Sequence, residues 1–369
     1  MRINFLLPAA NPSGGVKVIA IYAERLRARG HTVTMVGRPI PRPAWRYRLR
    51  LAMAGRRWQP VRLDHFAPRG LEPRILERFR PIEARDLPDA DVSIASWWET
   101  VFMLSALPPE KGAKVHFVQH HEIHDHIPVH LSRGAHLLPM RRIAIAGWLV
   151  DVLARDYGQT AVDLVANSVD PAQFHAPPRG KQPVPTVGLF YSIKEFKGLE
   201  VSLAAIEAAR RRVPDLRVLA FGQDPIVPHR PLPRGARYTA NPAQEAIREI
   251  YAGCDAYVFG SHSEGFGLPI LEAMACRTPV VATRTGAAPD FIEEGVSGHV
   301  VDVGDAEALG ARLADVVSLP DADWRAMSAA AHRRTTEYSW DDATDRFEAA
   351  LERAVAERSG LDIGIVPEG

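Results

Sequence analysis

Short apolar runs alternate along the chain with longer segments in which apolar positions recur every three or four residues. The runs Ile3 to Leu7, Asp91 to Ser96 and Ala256 to Phe259 have the length of buried strands. The segments Val16 to Arg29 and Gly198 to Arg212 have the spacing of amphipathic helices. Because strands and helices alternate, the pattern predicts parallel, doubly wound α/β sheets.

The alternation stops once, in a proline-rich stretch, and then resumes. The prolines of this stretch are Pro171, Pro177, Pro178, Pro183 and Pro185. Such a stretch is typical of an extended linker, and a chain of 369 residues exceeds the usual size of one hydrophobic core. We therefore predict a Rossmann-like domain over residues 1–170, a linker over 171–185 and a second Rossmann-like domain over 186–339.

Composition narrows the class of protein. The chain is 46% hydrophobic and 24% charged, as soluble globular proteins are, and its net charge of +1 argues against a nucleic-acid partner. No run of 18 apolar residues is present, so no transmembrane helix is expected. Cys254 and Cys276 match no zinc spacing and fit a reducing cytoplasm. Six lysines against 39 arginines suggest a GC-rich bacterial genome, so we expect a cytoplasmic bacterial protein.

The most specific chemical pattern lies between two glutamates. Glu264 and Glu272 enclose the segment Gly265-Phe266-Gly267-Leu268, followed by Pro269. The glycines allow the backbone to fold tightly over a ligand, and the proline suits the first turn of a helix. A helix beginning near Pro269 would direct free N–H groups, and its positive dipole end, at an anion over residues 265–268. The pattern therefore predicts a phosphate-binding site at the end of a strand.

This segment resembles the donor-site signature of the retaining group 1 (family 4) glycosyltransferases. They have the GT-B fold, two Rossmann-like domains that face a central cleft. The resemblance implies that Glu264 faces the donor sugar and that Glu272 holds the ribose hydroxyls of the nucleotide. It implies that the last helix, over 340–358, packs back on the first domain, and that neither a metal nor a cofactor is required. The diphosphate would be held by Gly265, Phe266, Gly267 and Leu268.

A second part of the resemblance lies between Gly188 and Gly198. Family members usually have an arginine after the first glycine and a lysine before the last, and both hold the diphosphate. Lys197 matches the lysine, whereas Leu189 or Tyr191 stands where the arginine is expected. A leaving diphosphate gains charge as the sugar bond breaks, so a fixed cation stabilises the transition state. We expect the missing arginine to be replaced by Tyr191, Ser192 or Lys194.

Two further loops follow strands of the predicted first domain. Gly14-Gly15 resembles the family's Gly-Gly loop, which approaches the donor phosphate and the acceptor, and it is not the Gly-x-Gly-x-x-Gly motif of dehydrogenases. By the same resemblance, either His120 or His121 would contact the transferred sugar. These two histidines lie close to His124 and His126, which suggests zinc as an alternative ligand; we expect no metal site.

Arginine and aromatic residues alternate between Arg38 and Arg62, where the sequence contains no acidic residue. Arginines beside interfacial aromatic residues are typical of a peripheral membrane contact. The stretch Arg42 to Trp58 therefore predicts either contact with the inner face of the cell membrane or binding of an anionic acceptor.

The resemblance implies a retaining enzyme for polysaccharide or glycoconjugate biosynthesis. It would move a hexose-type sugar from a UDP-, GDP- or dTDP-linked donor to a glycan, a lipid-linked acceptor or a small glycoside. Front-face substitution is expected, in which the leaving phosphate helps to take the acceptor proton. One alternative is a GT-B sugar-nucleotide epimerase or phosphorylase. Another is a non-catalytic GT-B subunit, which the absent arginine favours and the presence of Glu264, Lys197 and Glu272 disfavours.

Overall fold

A computed structural model of the protein describes residues 1–8, 13–40, 44–53, 65–123 and 127–358. The chain divides into two compact units. The first comprises residues 1–145, 149–165 and those from Thr344 onward. The second comprises residues 146–148 and 166–343. Both are built on parallel sheets with helices between the strands, which confirms the predicted α/β class.

The first unit contains a seven-stranded parallel sheet in the order β3-β2-β1-β4-β5-β6-β7. Its strands are β1 (Arg2–Leu7), β2 (Thr32–Gly37), β3 (Arg74–Ile75), β4 (Val92–Ala95), β5 (Ala113–Val118), β6 (Arg141–Ala144) and β7 (Val162–Leu164). The α-helices between them are α1 (Gly14–Ala28), α2 (Trp45–Met53), α3 (Trp98–Ser105), α4 (Val129–Ala135) and α5 (Gly147–Tyr157). The hydrophobic pattern predicts β1 and β4 to within a residue or two. It predicts no helix over α2, which has no apolar core face.

The second unit contains a six-stranded parallel sheet in the order β10-β9-β8-β11-β12-β13. Its strands are β8 (Thr186–Phe190), β9 (Arg217–Gly222), β10 (Arg237–Ala240), β11 (Ala256–Phe259), β12 (Val280–Thr283) and β13 (Gly298–Val301). The helices that follow are α6 (Leu199–Arg210), α7 (Gln244–Ala252), α8 (Leu268–Ala275), α9 (Ala288–Phe291), α10 (Ala306–Ser318), α11 (Asp321–Thr336) and α12 (Trp340–Arg358). Among helices in the part of the chain that the structure describes, none is both long enough and apolar enough to cross a bilayer.

Helix α12 begins in the second unit and, from Thr344 onward, belongs to the first. There its Phe347 is fully buried. The Phe347 ring stacks on Tyr22 of α1, with ring centroids 4.2 Å apart, and meets Phe117 of β5 edge-on at 5.1 Å. The last helix therefore supplies part of the core of a unit whose other elements end at residue 165.

In the second sheet, the strand order changes direction between β8 and β11, which are parallel neighbours although their first residues, Thr186 and Ala256, are 70 positions apart in the chain. Ligands of open α/β sheets bind at the carboxyl ends of such neighbouring strands. The loops after β8 and β11 approach each other closely here. A Cβ atom on Gly198 would lie 1.9 Å from the carbonyl oxygen of Gly260, and Gly198 has a left-handed φ of +53°. Only glycine permits this approach.

We expect Gly198→Ala to destabilise the second unit for two reasons, the left-handed backbone and the collision with Gly260. Gly235→Ala is the matched control, because Gly235 has a φ of +77° and no atom within 4 Å of an added Cβ. The backbone term costs ~1 kcal/mol in both variants. Denaturant titration should show a clearly larger loss of unfolding free energy for Gly198→Ala, and equal losses would contradict the close approach.

Candidate functional site

The loops that follow β8 and β11 bring Lys197 and Glu264 together. The ammonium nitrogen Nζ of Lys197 lies 2.8 Å and 3.0 Å from the two carboxylate oxygens of Glu264. Ser261 donates its hydroxyl to Oε1 of the same carboxylate at 2.7 Å. The Glu264 side chain is only 8% exposed, and that of Lys197 is 22% exposed. A buried carboxylate of this kind requires a partner charge.

Helix α8 begins directly after this carboxylate. Gly267 caps it with a φ of +90°, and Pro269 occupies its first turn. The proline lacks an N–H that the first turn could not bond in any case, so the predicted helix start is confirmed to within one residue. First-turn N–H groups have no acceptor inside a helix and carry the positive end of its dipole. The ammonium group of Lys197 and the positive end of the α8 dipole therefore both lie beside Glu264.

Glu272 lies one turn further along α8 and is half-buried. Tyr251 of α7, which is fully buried, donates its hydroxyl to Oε2 of Glu272 at 3.1 Å. Burial raises the pKa of Tyr251 well above its usual range, so this hydroxyl remains a donor. Tyr251 therefore fixes the orientation of a carboxylate at the side of the helix.

Of the three residues expected to replace the family's arginine, Lys194 alone is exposed. Its ammonium nitrogen lies 6.0 Å from the centre of the Phe196 ring, and that of Lys197 lies 5.3 Å from it. Lys194 and Lys197 thus share one aromatic ring, which helps to fix two positive charges.

Ser192 is buried and donates to a carboxylate oxygen of Asp224 at 3.1 Å.

The structure places the hydroxyl of Tyr191, which was expected to contact the diphosphate, in the interior of the second unit. The Tyr191 side chain is fully buried in the core of the second unit. Its hydroxyl already donates to the carbonyl of Arg230 at 2.8 Å and accepts from the N–H of Val227 at 3.0 Å. Aromatic size and a full set of hydrogen-bond partners both favour the interior, so this tyrosine supports a neighbouring loop.

In the first unit, Gly14 and Gly15 open α1, and Gln119 donates its side-chain amide to the carbonyl of Gly15 at 3.2 Å. His120 bonds its Nδ1 to the carbonyl of His121 at 2.9 Å and is half-buried. His121 is 9% exposed and bonds its Nε2 to the Tyr157 hydroxyl at 2.7 Å. Both glycines and both histidines therefore follow carboxyl ends of strands in one sheet.

Some of the expected residues fall outside the described residues, namely His124, His126, Arg42, Arg56, Arg57, Trp58 and Arg62. Within the described ranges, no three His, Cys, Asp or Glu side chains are arranged to hold a metal ion. The described part of the arginine-rich stretch forms α2, whose residues are almost all exposed. Trp45 is 67% exposed and Met53 75%.

Two buried titratable groups lie beside the histidines. Burial raises the pKa of Glu122 to about 8, the Trp98 N–H that it accepts at 3.0 Å opposes this shift, and the neighbouring Glu99 carboxylate adds to it. Burial and the nearby His121 lower the pKa of His136 to about 4. Both groups are therefore neutral near pH 7, and this part of the first unit contains uncharged hydrogen-bonding groups.

Sequence reasoning did not identify Ser261, Tyr251, Asp224 or Arg230. Each makes a side-chain or backbone contact with a predicted site residue. Ser261 could have been recognised from its position three residues before Glu264. The others are 21 or more residues away from their partners, so only the fold brings them there.

Residues 184–318 match the family model described as "Glycosyl transferases group 1". Among curated proteins, the chain is 30% identical over 229 residues to a D-inositol 3-phosphate glycosyltransferase of Segniliparus rotundus, covering 57% of this chain and 50% of that protein. It is 33% identical over 138 residues to a GDP-mannose-dependent alpha-(1-6)-phosphatidylinositol monomannoside mannosyltransferase of Mycolicibacterium smegmatis, covering 34% and 36% respectively. The alignments span about half or less of these curated relatives.

Solved structures resemble the chain over nearly its whole length. Anabaena Alr3699/HepE in complex with UDP and glucose has a TM-score of 0.70 at 16% identity, covering 96% of this chain and 100% of that one. Sucrose-phosphate synthase from Thermosynechococcus elongatus has a TM-score of 0.72 at 16% identity, covering 97% and 100%. Two Rossmann-like units and these neighbours define a GT-B protein. The matched donor region, residues 184–318, is similar to the group 1 glycosyltransferases.

The raised pKa of Glu122 makes stability depend on pH. Its carboxyl titrates near 4.5 when unfolded and at about 8 when folded. The stability contributed by the protonated form is therefore complete below pH ~4.5 and is lost as the pH rises through about 8. Relative to wild type, Glu122→Gln should gain unfolding free energy over this window, reaching ~4–5 kcal/mol at its upper end.

Denaturant titrations of both proteins at several pH values between 4.5 and 8.5 measure this difference. The exposed Glu110→Gln is the control and should follow wild type. A difference that stays constant with pH would show that Glu122 is not neutral in the folded protein.

Proposed function

We propose that this protein is a retaining glycosyltransferase that moves a hexose-type sugar from a nucleoside-diphosphate sugar to an acceptor. The proposal is carried by one observation, the pairing of Lys197 with the buried Glu264 next to the start of α8. This arrangement combines a fixed ammonium group, the positive end of a helix dipole and a carboxylate. An anionic leaving group and a polar sugar require these groups side by side.

In the proposal each residue has a separate task. Lys197 and the backbone of Gly265 to Leu268 hold the donor diphosphate, with Lys194 close by at the same loop. Glu264 faces the sugar and Glu272 accepts hydrogen bonds from the ribose hydroxyls. The diphosphate gains charge as the sugar bond breaks, so the cationic groups stabilise the transition state more than the bound donor.

The first unit takes the acceptor. Gly14, Gly15, His120 and His121 follow strand ends of its sheet and line the acceptor side. Substitution proceeds on the front face of the sugar. The acceptor hydroxyl forms the new bond to the anomeric carbon as the bond to the diphosphate breaks, and the departing phosphate oxygen takes the acceptor proton. Lys197 and α8 supply the positive charge for this step, so we propose that no metal is required.

The names of the relatives support the donor and acceptor classes. One solved neighbour binds UDP and glucose, and one curated relative is named for GDP-mannose, so both UDP and GDP donors are candidates. Two curated relatives are named for acceptors that contain inositol, one as a phosphate and one within a lipid. We propose an acceptor that carries a phosphate and is water-soluble or lipid-linked.

Glu272→Ala should weaken binding of the donor nucleotide, because the ribose hydroxyls lose a charged acceptor that Tyr251 holds in place. Losing such a hydrogen bond costs ~1.5–3 kcal/mol, or about 10-fold to 150-fold in affinity. A thermal-shift screen of UDP, GDP and dTDP and their hexose conjugates selects the donor, and calorimetry then compares wild type with the variant.

Glu249→Ala, an exposed glutamate on α7, is the control and should bind as wild type does. Unchanged affinity in Glu272→Ala would remove this residue from the site.

Product analysis with EDTA and without an acceptor tests the type of reaction. An epimerised sugar nucleotide formed without acceptor would identify an epimerase, and activity abolished by EDTA would contradict metal-free transfer.

Helix α2 supports a contact with a membrane surface. At 100° per residue, Trp45, Leu49 and Met53 lie within 80° of one another on one face. All three are at least half exposed. Arg46 and Arg50 lie to one side of this apolar stripe and Arg48 lies to the other, and no acidic residue occurs in the helix. An apolar stripe flanked by arginines is suited to the interface of an anionic membrane.

We expect the protein to sediment with anionic vesicles at low salt. Replacing both Arg46 and Arg50 with Gln should weaken binding about 30-fold, since each arginine near an anionic surface contributes ~1 kcal/mol. The control pair, Arg211→Gln and Arg212→Gln, removes equal charge from the exposed end of α6. Wild-type protein that stays in the supernatant, or equal losses in the two pairs, would contradict a membrane contact through α2.

A further inference from the structure

The loop after β8 lacks the arginine that the family places there, yet an arginine from another loop lies beside it. Counting back from Lys197, Tyr191 is one of the two residues at the position of the missing arginine. Its buried hydroxyl donates to the backbone carbonyl of Arg230. Tyr191, which stands at the position of the missing arginine, therefore fixes the main chain of a different arginine, Arg230.

A second set of bonds fixes the same loop. The carboxylate of Asp224 accepts from the Ser192 hydroxyl at 3.1 Å and from the N–H of Ile193 at 3.0 Å. Val227 donates its N–H to Tyr191 at 3.0 Å. Four hydrogen bonds thus connect residues 224–230 to residues 191–193, so the backbone that presents Arg230 is fixed relative to the loop of Lys194 and Lys197.

The Arg230 guanidinium lies against that loop. Its Nη1 donates to the carbonyl of Ile193 at 3.2 Å, one residue before Lys194. Its Nη2 is 3.9 Å from a carboxylate oxygen of Glu200, in the first turn of α6, and the other oxygen of Glu200 is 2.8 Å from Nε2 of His262. Arg230 is therefore linked through Glu200 to the loop that holds Glu264.

These contacts leave the guanidinium able to bind an anion. A guanidinium has five N–H donors in a planar fork that suits phosphate oxygens. The Nη2 atom is 3.9 Å from Glu200, too far for a hydrogen bond, and the Arg230 side chain is 22% exposed. A weak ion pair of this kind can exchange for a doubly charged phosphate.

We propose that Arg230 is the diphosphate-binding arginine of this protein, supplied from the loop after β9 in place of the residue missing after β8. The assignment rests on the proposed function, because it names a residue for the same donor site. It predicts a binding contribution that depends on the number of phosphates in the ligand.

The test compares the dissociation constants of UDP, UMP and uridine, and of GDP, GMP and guanosine, for wild type and three variants by calorimetry. Arg230→Ala should bind the diphosphate at least 10-fold more weakly and the nucleoside unchanged. Arg230→Lys keeps the charge and should recover part of the loss. Arg234→Ala, which removes an exposed arginine four residues along the same chain segment, should behave as wild type.

The possible results distinguish a failure of the Arg230 assignment from a failure of the proposed function. Equal losses for diphosphate, monophosphate and nucleoside would show that Arg230 only supports the loop, which would overturn the assignment. Diphosphate affinity that is unchanged in Arg230→Ala would overturn it as well, while leaving the donor site intact. A wild-type protein that binds none of these nucleotides would overturn the proposed function, and the assignment with it.

Discussion

The buried carboxylate of Glu264 is the constraint on which the second unit's site depends. A charge in a largely dry environment is tolerated only with a close partner, and removing one member of such a pair leaves the other uncompensated. Lys197 provides that partner at 2.8 Å. It reaches Glu264 because Gly198 and Gly260 let the loops after β8 and β11 approach within backbone contact. The start of α8 then follows Glu264 by four residues. The charge pair and the two glycines that allow it thus meet one requirement, the burial of the Glu264 carboxylate.

The parts of the site that sequence could predict are those in which cause and effect are local. Pro269 and Gly267 act within one turn of the chain, so the beginning of α8 follows from the residue types alone. The pairing of Lys197 with Glu264 joins residues 67 positions apart, and strand order is needed to bring them together. The family resemblance indicated that both residues belong to one site, but not that they form an ion pair.

Tyr191 and Arg230 show why the rest of the site could not be predicted from the sequence. A tyrosine in a glycine-bounded loop reads as a surface hydroxyl, and only burial against β9 reveals that its ring belongs to the core. Arg230 lies among prolines and has no periodicity, so its sequence context indicates only a surface loop. Helix α2 was not predicted for a different reason. The usual signal for a helix is a face buried in the core, and α2 has none.

The path of α12 has a consequence for the order in which the protein is made. Residues 1–165 include every strand of the first sheet, but the aromatic core around Tyr22 and Phe117 is completed by Phe347. A ribosome has therefore synthesised the whole second unit before the last piece of the first becomes available. While the nascent chain grows, the surfaces of α1 and β5 that later receive Phe347 remain uncovered. The first unit, although its strands are translated before those of the second, obtains Phe347 only after the second unit has been synthesised.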